Sequence, residues 1–125
     1  MYILGRYSIL RVIVAGSRKF KDYPMMKRIL DANFRQINEP ITIVCGMAEG
    51  ADKLGWQYAY DHNLDIDFYP ADWNMHGKIA GFIRNSKMAE NADILIAFWD
   101  GKSRGTDHMI KTMKKKNLPV KVYKF

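Results

Sequence analysis

Five apolar runs of strand length alternate with four stretches long enough for a helix, and this alternation leaves few folds open to the chain. Residues 9–15 (ILRVIVA) are rich in β-branched side chains and stop at Gly16, the pattern of a buried strand. Residues 24–37 then place Met25, Ile29, Ala32 or Phe34, and Ile37 at helical spacing, with Asp22 as candidate cap and Pro24 near the first turn. Pro40 breaks that helix, and Ile41–Cys45 reads as a second strand. A helix over 51–62 follows, its buried face drawn from Leu54, Ala59 and either Trp56 or Tyr60, with Asn63 closing it. Residues 64–69 form a third strand, 70–77 a loop, and about 78–91 a helix using Ile79, Phe82, Ile83 and Met88. Ile94–Trp99 (ILIAFW) is the clearest fourth strand. A helix over 106–116 and an edge strand over 118–123, which carries Pro119, complete the chain.

A βαβαβαβαβ order is most economically met by parallel strands joined through right-handed helical crossovers, giving a three-layer α/β sandwich. The expected sheet is mostly parallel and has about five strands. No linker, repeat or low-complexity segment interrupts it, so residues 1–125 are expected to form a single domain, with 1–8 as a loose N-terminal extension.

Composition narrows the partners. An apolar content of 48% argues against global disorder. No run reaches the roughly 18 apolar residues of a membrane-spanning helix, and the start lacks a secretory pattern, so a cytoplasmic protein without membrane partners is expected. Cys45 is the sole cysteine, and His62, His76 and His108 are too scattered for a zinc spacing, so neither a metal nor a bound cofactor is expected. A buried, inert thiol is the expected state of Cys45. The net charge of +7 points to acidic partners: nucleotides, nucleic acid or phosphorylated metabolites. Part of it sits at Arg18, Lys19 and Lys21 and part in residues 111–116. The second group is expected to be the solvated, dipole-complementing end of a helix rather than a nucleic-acid patch.

In a parallel sheet all strand-to-helix turns lie along the carboxyl edge, where ligands bind. Three of these turns carry glycine: Gly16 after the first strand, Gly46 and Gly50 after the second, Gly101 and Gly105 after the fourth. Glycine admits close backbone approach, and the helix behind it offers free N–H donors. With Ser17, Arg18, Ser103, Arg104 and Thr106 beside them, the three turns point to an anion, with phosphate as the expected one. No Walker A loop occurs, and no Gly-x-Gly-x-x-Gly follows the first strand.

The set Ala15-Gly16-Ser17-Arg18, Cys45-Gly46-Met47-Ala48-Glu49-Gly50-Ala51-Asp52, Arg84-Asn85-x-x-Met88, Ala92-Asp93 and Trp99-Asp100-Gly101-x-Ser103-x-Gly105-Thr106 resembles the SLOG superfamily. The likeness is closest to its YspA/YpsA-related branch, often found in bacteria and their phages, and spans about residues 11–123. Lonely Guy phosphoribohydrolases and the DNA-processing protein DprA are in the same superfamily. The resemblance implies a Rossmann-like fold and a pocket for nucleotides or nucleotide derivatives. It places Gly16, Ser17 and Arg18 near the ligand, and makes Gly46, Glu49, Gly50 and Asp52 a second wall. Arg84 matches an active-site arginine of Lonely Guy enzymes, and Gly101, Ser103, Gly105 and Thr106 stand in their phosphate loop. Those enzymes carry a catalytic glutamate three residues beyond the loop threonine, where this chain has Met109. Methionine can neither stabilise a cationic sugar nor act as a base.

Each candidate also has a plainer reading. Arg18 can be a solvated arginine, Arg84 a salt-bridge partner, Asp52 a helix cap with Glu49 similar, and Thr106 a cap of the last helix. Trp99 is read as packing, and Trp73 and His76 as parts of a lid. The leading expectation is binding of a nucleotide or nucleotide-derived signal through the glycine turns. The alternatives are a phosphoribohydrolase-type enzyme with a displaced carboxylate (Asp107, Asp52 or Glu49) and a DprA-like nucleic-acid-binding module. SLOG relatives frequently dimerise, and the aromatic stretch from Trp56 to Tyr60 is a candidate homo-oligomer contact.

Overall fold

The computed structural model describes residues 8–125. The proposed loose extension at 1–8 therefore lies, apart from its last residue, outside the described residues. Five strands, β1 (Leu10–Gly16), β2 (Ile41–Cys45), β3 (Asp65–Phe68), β4 (Ile94–Trp99) and β5 (Val120–Lys124), form one sheet in the order β3-β2-β1-β4-β5. Every neighbouring pair is parallel. The helices are α1 (Tyr23–Phe34), α2 (Ala51–Asp61), α3 (Trp73–His76), α4 (Ala80–Glu90) and α5 (Arg104–Lys115), with a 3₁₀ turn at Gly77–Ile79 between α3 and α4. This is the α/β, Rossmann-like three-layer sandwich with a parallel sheet that the alternation predicts. None of the described helices is long and apolar enough to cross a membrane.

The period-two alternation of the central strands divides the core in two. Val12 and Val14 of β1 with Ile96 and Phe98 of β4 pack against Met26 and Leu30 of α1 and Tyr58 and Ala59 of α2. Ile13, Ala15, Leu95 and Ala97 face the other way, onto Met88 and Ala89 of α4 and Met109, Ile110 and Met113 of α5. β2 and β3 extend the sheet from β1 on one side and β4 and β5 on the other, so the crossovers change face between β1 and β4. That place is the topological switch point.

Local signals account for most boundaries. Asp22 caps α1, its Oδ1 accepting from the Met25 amide at 3.0 Å, and Pro24 sits in the first turn. Three expectations need correction. Residues 70–77 are not simply loop: Asp72 accepts from the Met75 amide at 3.0 Å and starts α3, and Gly77, at φ +59°, turns the chain into the 3₁₀ turn. The buried face of α2 is Ala51, Asp52, Gly55, Tyr58 and Ala59, while Trp56 and Tyr60 point to solvent. Its cause is Gly55, where a Cβ would come within 2.7 Å of Val14, so the helix lies on β1 at a distance only glycine permits. The last helix begins at Arg104 rather than Thr106, with Ser103 at the N-cap.

Candidate functional site

Backbone contacts among the first residues beyond β1, β2 and β4 build the site. Gly16 pairs with Phe98 in the register, and a Cβ on Gly16 would overlap the Phe98 carbonyl. Ser17, fully buried, donates its amide to that carbonyl at 2.9 Å. Its Oγ accepts from the Asp100 amide at 3.0 Å and from the Ser103 hydroxyl at 2.8 Å, tying the β1 and β4 turns together. Asp100 Oδ1 accepts from the Lys102 and Ser103 amides, both at 2.8 Å. These donors favour the charged form and hold its carboxyl far below the usual carboxylate range. The same two bonds curl the chain at Ser103, which is why α5 starts two residues before the sequence suggests.

The three glycine turns are not equivalent. Gly50, at φ +77°, lies so close to the Ser17 carbonyl that a Cβ could not fit, and Ala51 N–H donates to that carbonyl at 3.2 Å. The N-terminus of α2 is thus partly closed by the β1–α1 turn, and α1 is capped by Asp22. α5 begins directly at a cavity, with no side-chain cap and with Ser103, Arg104, Gly105 and Thr106 in the wall.

This cavity, about 540 Å³, lies over the switch point. Its floor is Gly46, Asp52 and Arg84. A Cβ on Gly46 would come within 2.7 Å of Asp52 Oδ2 and 2.8 Å of Arg84 Nη1, so glycine is what lets the two charges approach. Arg84 donates from Nη1 to the Gly46 carbonyl and from Nε to Asn85 Oδ1 at 3.1 Å. Asn85 Nδ2 in turn lies 3.2 Å from the Gly105 carbonyl and from His108 Nδ1, which joins the floor to the α5 turn. This arrangement makes His108 Nδ1 the acceptor and places the ring proton on Nε2. Burial holds the His108 imidazole below its ordinary pKa.

Asp52 is only 4% exposed. Desolvation pushes its carboxyl up to about 6, opposed by the nearby Arg84 charge and by hydrogen bonds from the Ala48 and Gly16 amides. The Ala48 bond is 3.3 Å long. It reaches back across the turn, so Asp52 does not cap α2, contrary to the plainer reading; Gly50 is the N-cap and has no side chain to offer. Around the mouth stand Arg18, Lys19, Lys78 and Arg104. Among the described residues none of these four, nor Arg84, forms a salt bridge.

Of the sequence-predicted site residues, Gly16, Arg18, Gly46, Glu49, Asp52, Arg84, Ser103, Gly105 and Thr106 line this cavity. Ser17 and Gly50 stand behind it as backbone supports. Gly101, at φ +82°, faces Lys124 instead and does not reach it. Glu49 is exposed and paired with Lys53 at 2.5 Å. Thr106 is a buried wall residue rather than a cap. Trp99 packs on the core and donates its indole N–H to the Ser103 carbonyl at 3.1 Å. Cys45 is buried, its thiol pushed up to about 11 by burial. Met109 lines the cavity at the position of the missing glutamate. The two lid residues separate: Trp73 lines this cavity and His76 a neighbouring one of about 270 Å³. Lys78, Gly81, Phe82 and Asn85 were absent from the predicted site; the 3₁₀ turn at Gly77–Ile79 and the start of α4 at Ala80 bring them to the wall.

Residues 10–76 match the family described as YspA, cpYpsA-related SLOG. The gene 61 protein of Mycobacterium phage D29 is 34% identical over 116 residues, covering 88% of this chain and 93% of the phage protein. Among solved structures, DNA processing protein A (DprA) from Streptococcus pneumoniae superposes with a TM-score of 0.74 at 15% identity over 91% of this chain. DNA processing protein A from Helicobacter pylori, described by its single-stranded DNA binding mode, superposes with a TM-score of 0.63 at 20% identity over 90% of this chain. The chain spans 50% and 64% of those two structures, and at such identities the likeness is one of fold. With the family match over more than half its length and a phage relative along most of it, the chain belongs to the YspA, cpYpsA-related SLOG family.

Proposed function

We propose that the cavity over the switch point binds a phosphate-bearing nucleotide or nucleotide-derived small molecule. One observation carries this reading: the uncapped start of α5 opens into a cavity whose five basic side chains form no salt bridge among the described residues. In this reading the first α5 amides and Thr106 hold the phosphate, Ser103 shapes the turn through its bonds to Asp100 and Ser17, and Arg18, Lys19 and Arg104 neutralise the charge. Arg84 is anchored by carbonyls and fixes the floor, and Asp52 accepts hydroxyl donors such as those of a sugar. The test is thermal denaturation against AMP, ADP-ribose, NAD and cyclic nucleotides, with mass spectrometry of small molecules released from the denatured protein. No stabilisation by any of them and no co-purified ligand would sink the reading.

Binding stands ahead of hydrolysis because the cavity carboxylates are poorly suited to catalysis. Glu49 is tied to Lys53, Asp100 is held ionised by the donors of its own turn, and Met109 stands three residues beyond Thr106. Asp52 remains, and release of free base from AMP, lost in Asp52→Asn, would reverse that order. A nucleic-acid role is favoured by the net charge of +7 and by the fold shared with the Helicobacter protein. It requires binding of single-stranded oligonucleotides with a steep salt dependence.

A further inference from the structure

We infer that the mouth of this cavity holds a subsite for the flat face of a nucleobase, with Trp73 as its platform and Phe82 as its second wall. The inference rests on the phosphate-site reading and specifies the other end of the ligand. Trp73 opens α3 and is 58% exposed although it lines the cavity. Of the chain's three tryptophans, Trp56 meets Phe68 edge to face at 5.5 Å and Trp99 is hydrogen-bonded to Ser103. Trp73 stacks on no other aromatic among the described residues, and its indole N–H finds no acceptor there.

Its position is set rather than loose. The Asp72 cap starts α3, and the indole rests over Gly81, where a Cβ would lie 3.5 Å from Trp73 Cη2. Phe82, 40% exposed, is held by a parallel stack on His108 at 4.2 Å and 14°. His108 is itself fixed through Asn85 to the α5 turn. Two large aromatic faces thus border a cavity whose rim is cationic. An aliphatic ligand would not use the planar faces, and a bare sugar phosphate would leave them wet. A molecule with an anion at one end and a π-face at the other satisfies both, which selects a mononucleotide unit.

The test compares AMP and UMP with ribose 5-phosphate and inorganic phosphate on the wild type, Trp73→Ala and Trp73→Phe. AMP and UMP are expected to bind at least tenfold more tightly than ribose 5-phosphate and to quench tryptophan fluorescence. Trp73→Ala erases that advantage while leaving ribose 5-phosphate affinity unchanged, and Trp73→Phe keeps most of it but loses the quench. Equal affinity for AMP, UMP and ribose 5-phosphate in the wild type overturns the base subsite and leaves the phosphate site standing, as does a Trp73→Ala loss shared by all ligands. If none of the four binds, the phosphate-site reading fails and the base subsite with it. Binding of oligothymidylate through Trp73 without binding of AMP or UMP overturns the mononucleotide in favour of a single strand.

Discussion

At the scale of single residues, Asp52 carries the most specific consequence. A carboxyl held at about 6 by burial, rather than at the ordinary 3.8, costs the folded state on the order of 3 kcal/mol once it ionises. Between about pH 4 and 6 the folded protein binds more protons than the unfolded chain. This group therefore makes stability fall as pH rises through that window and stay level above it. Asp52→Asn keeps an oxygen acceptor for Ala48 and removes the charge, so its stability relative to wild type should improve from pH 4.5 to pH 7. Urea unfolding at both values measures this, and a pH-independent difference would show that Asp52 is not buried as described. Gly50→Ala should cost at least about 2 kcal/mol by the same assay, through its positive φ and the Ser17 carbonyl against it. Both residues stand out in the sequence within one glycine turn, yet their roles were not legible there. Whether Asp52 caps its helix or reaches back to Ala48 depends on how β1 and β2 fix the turn, which is a matter of tertiary contact.

At the scale of elements, β2 and β4 match their sequence boundaries because both faces of a central parallel strand are apolar and end abruptly at polar turns. The edge strands β3 and β5 begin later than expected, since solvent exposure weakens that contrast. The error at α2 had a different source. Periodicity counts large apolar residues, whereas the contact with β1 is set by Gly55, and a small residue leaves no mark on an apolar tally. Likewise α3 was hidden because a helix of four residues has no period to detect. Lys114, Lys115 and Lys116 are exposed at the negative pole of α5, a placement that serves a solvated helix end and a nucleic-acid patch alike. Replacing all three by glutamate should lower stability by about 1 to 2 kcal/mol and leave nucleotide affinity within twofold. Loss of ligand binding in that variant, measured by calorimetry, would move the site away from the switch point.

At the scale of the whole molecule, both the phosphate reading and the nucleic-acid reading draw on the net charge of +7, and salt separates them. A ligand that binds only the folded state at a hundred times its Kd stabilises by about 2.7 kcal/mol, which for a chain of this size raises Tm by roughly 10 °C. That shift reports occupancy and says nothing of the ligand's length. A mononucleotide places one phosphate against the start of α5 and has no condensed counterion layer to release, so its affinity should fall by less than about one decade per decade of salt. A single strand touching six phosphates would lose about four decades over the same range. The basic groups Arg18, Lys19, Lys78 and Arg104 all line the one cavity. The shallow slope is therefore the expected result for AMP, measured by calorimetry between about 50 and 500 mM salt. The decisive comparison is with oligothymidylate on the same protein. Tighter binding of the oligomer at low salt, with a slope of three or more, would make the cavity one end of a longer nucleic-acid surface.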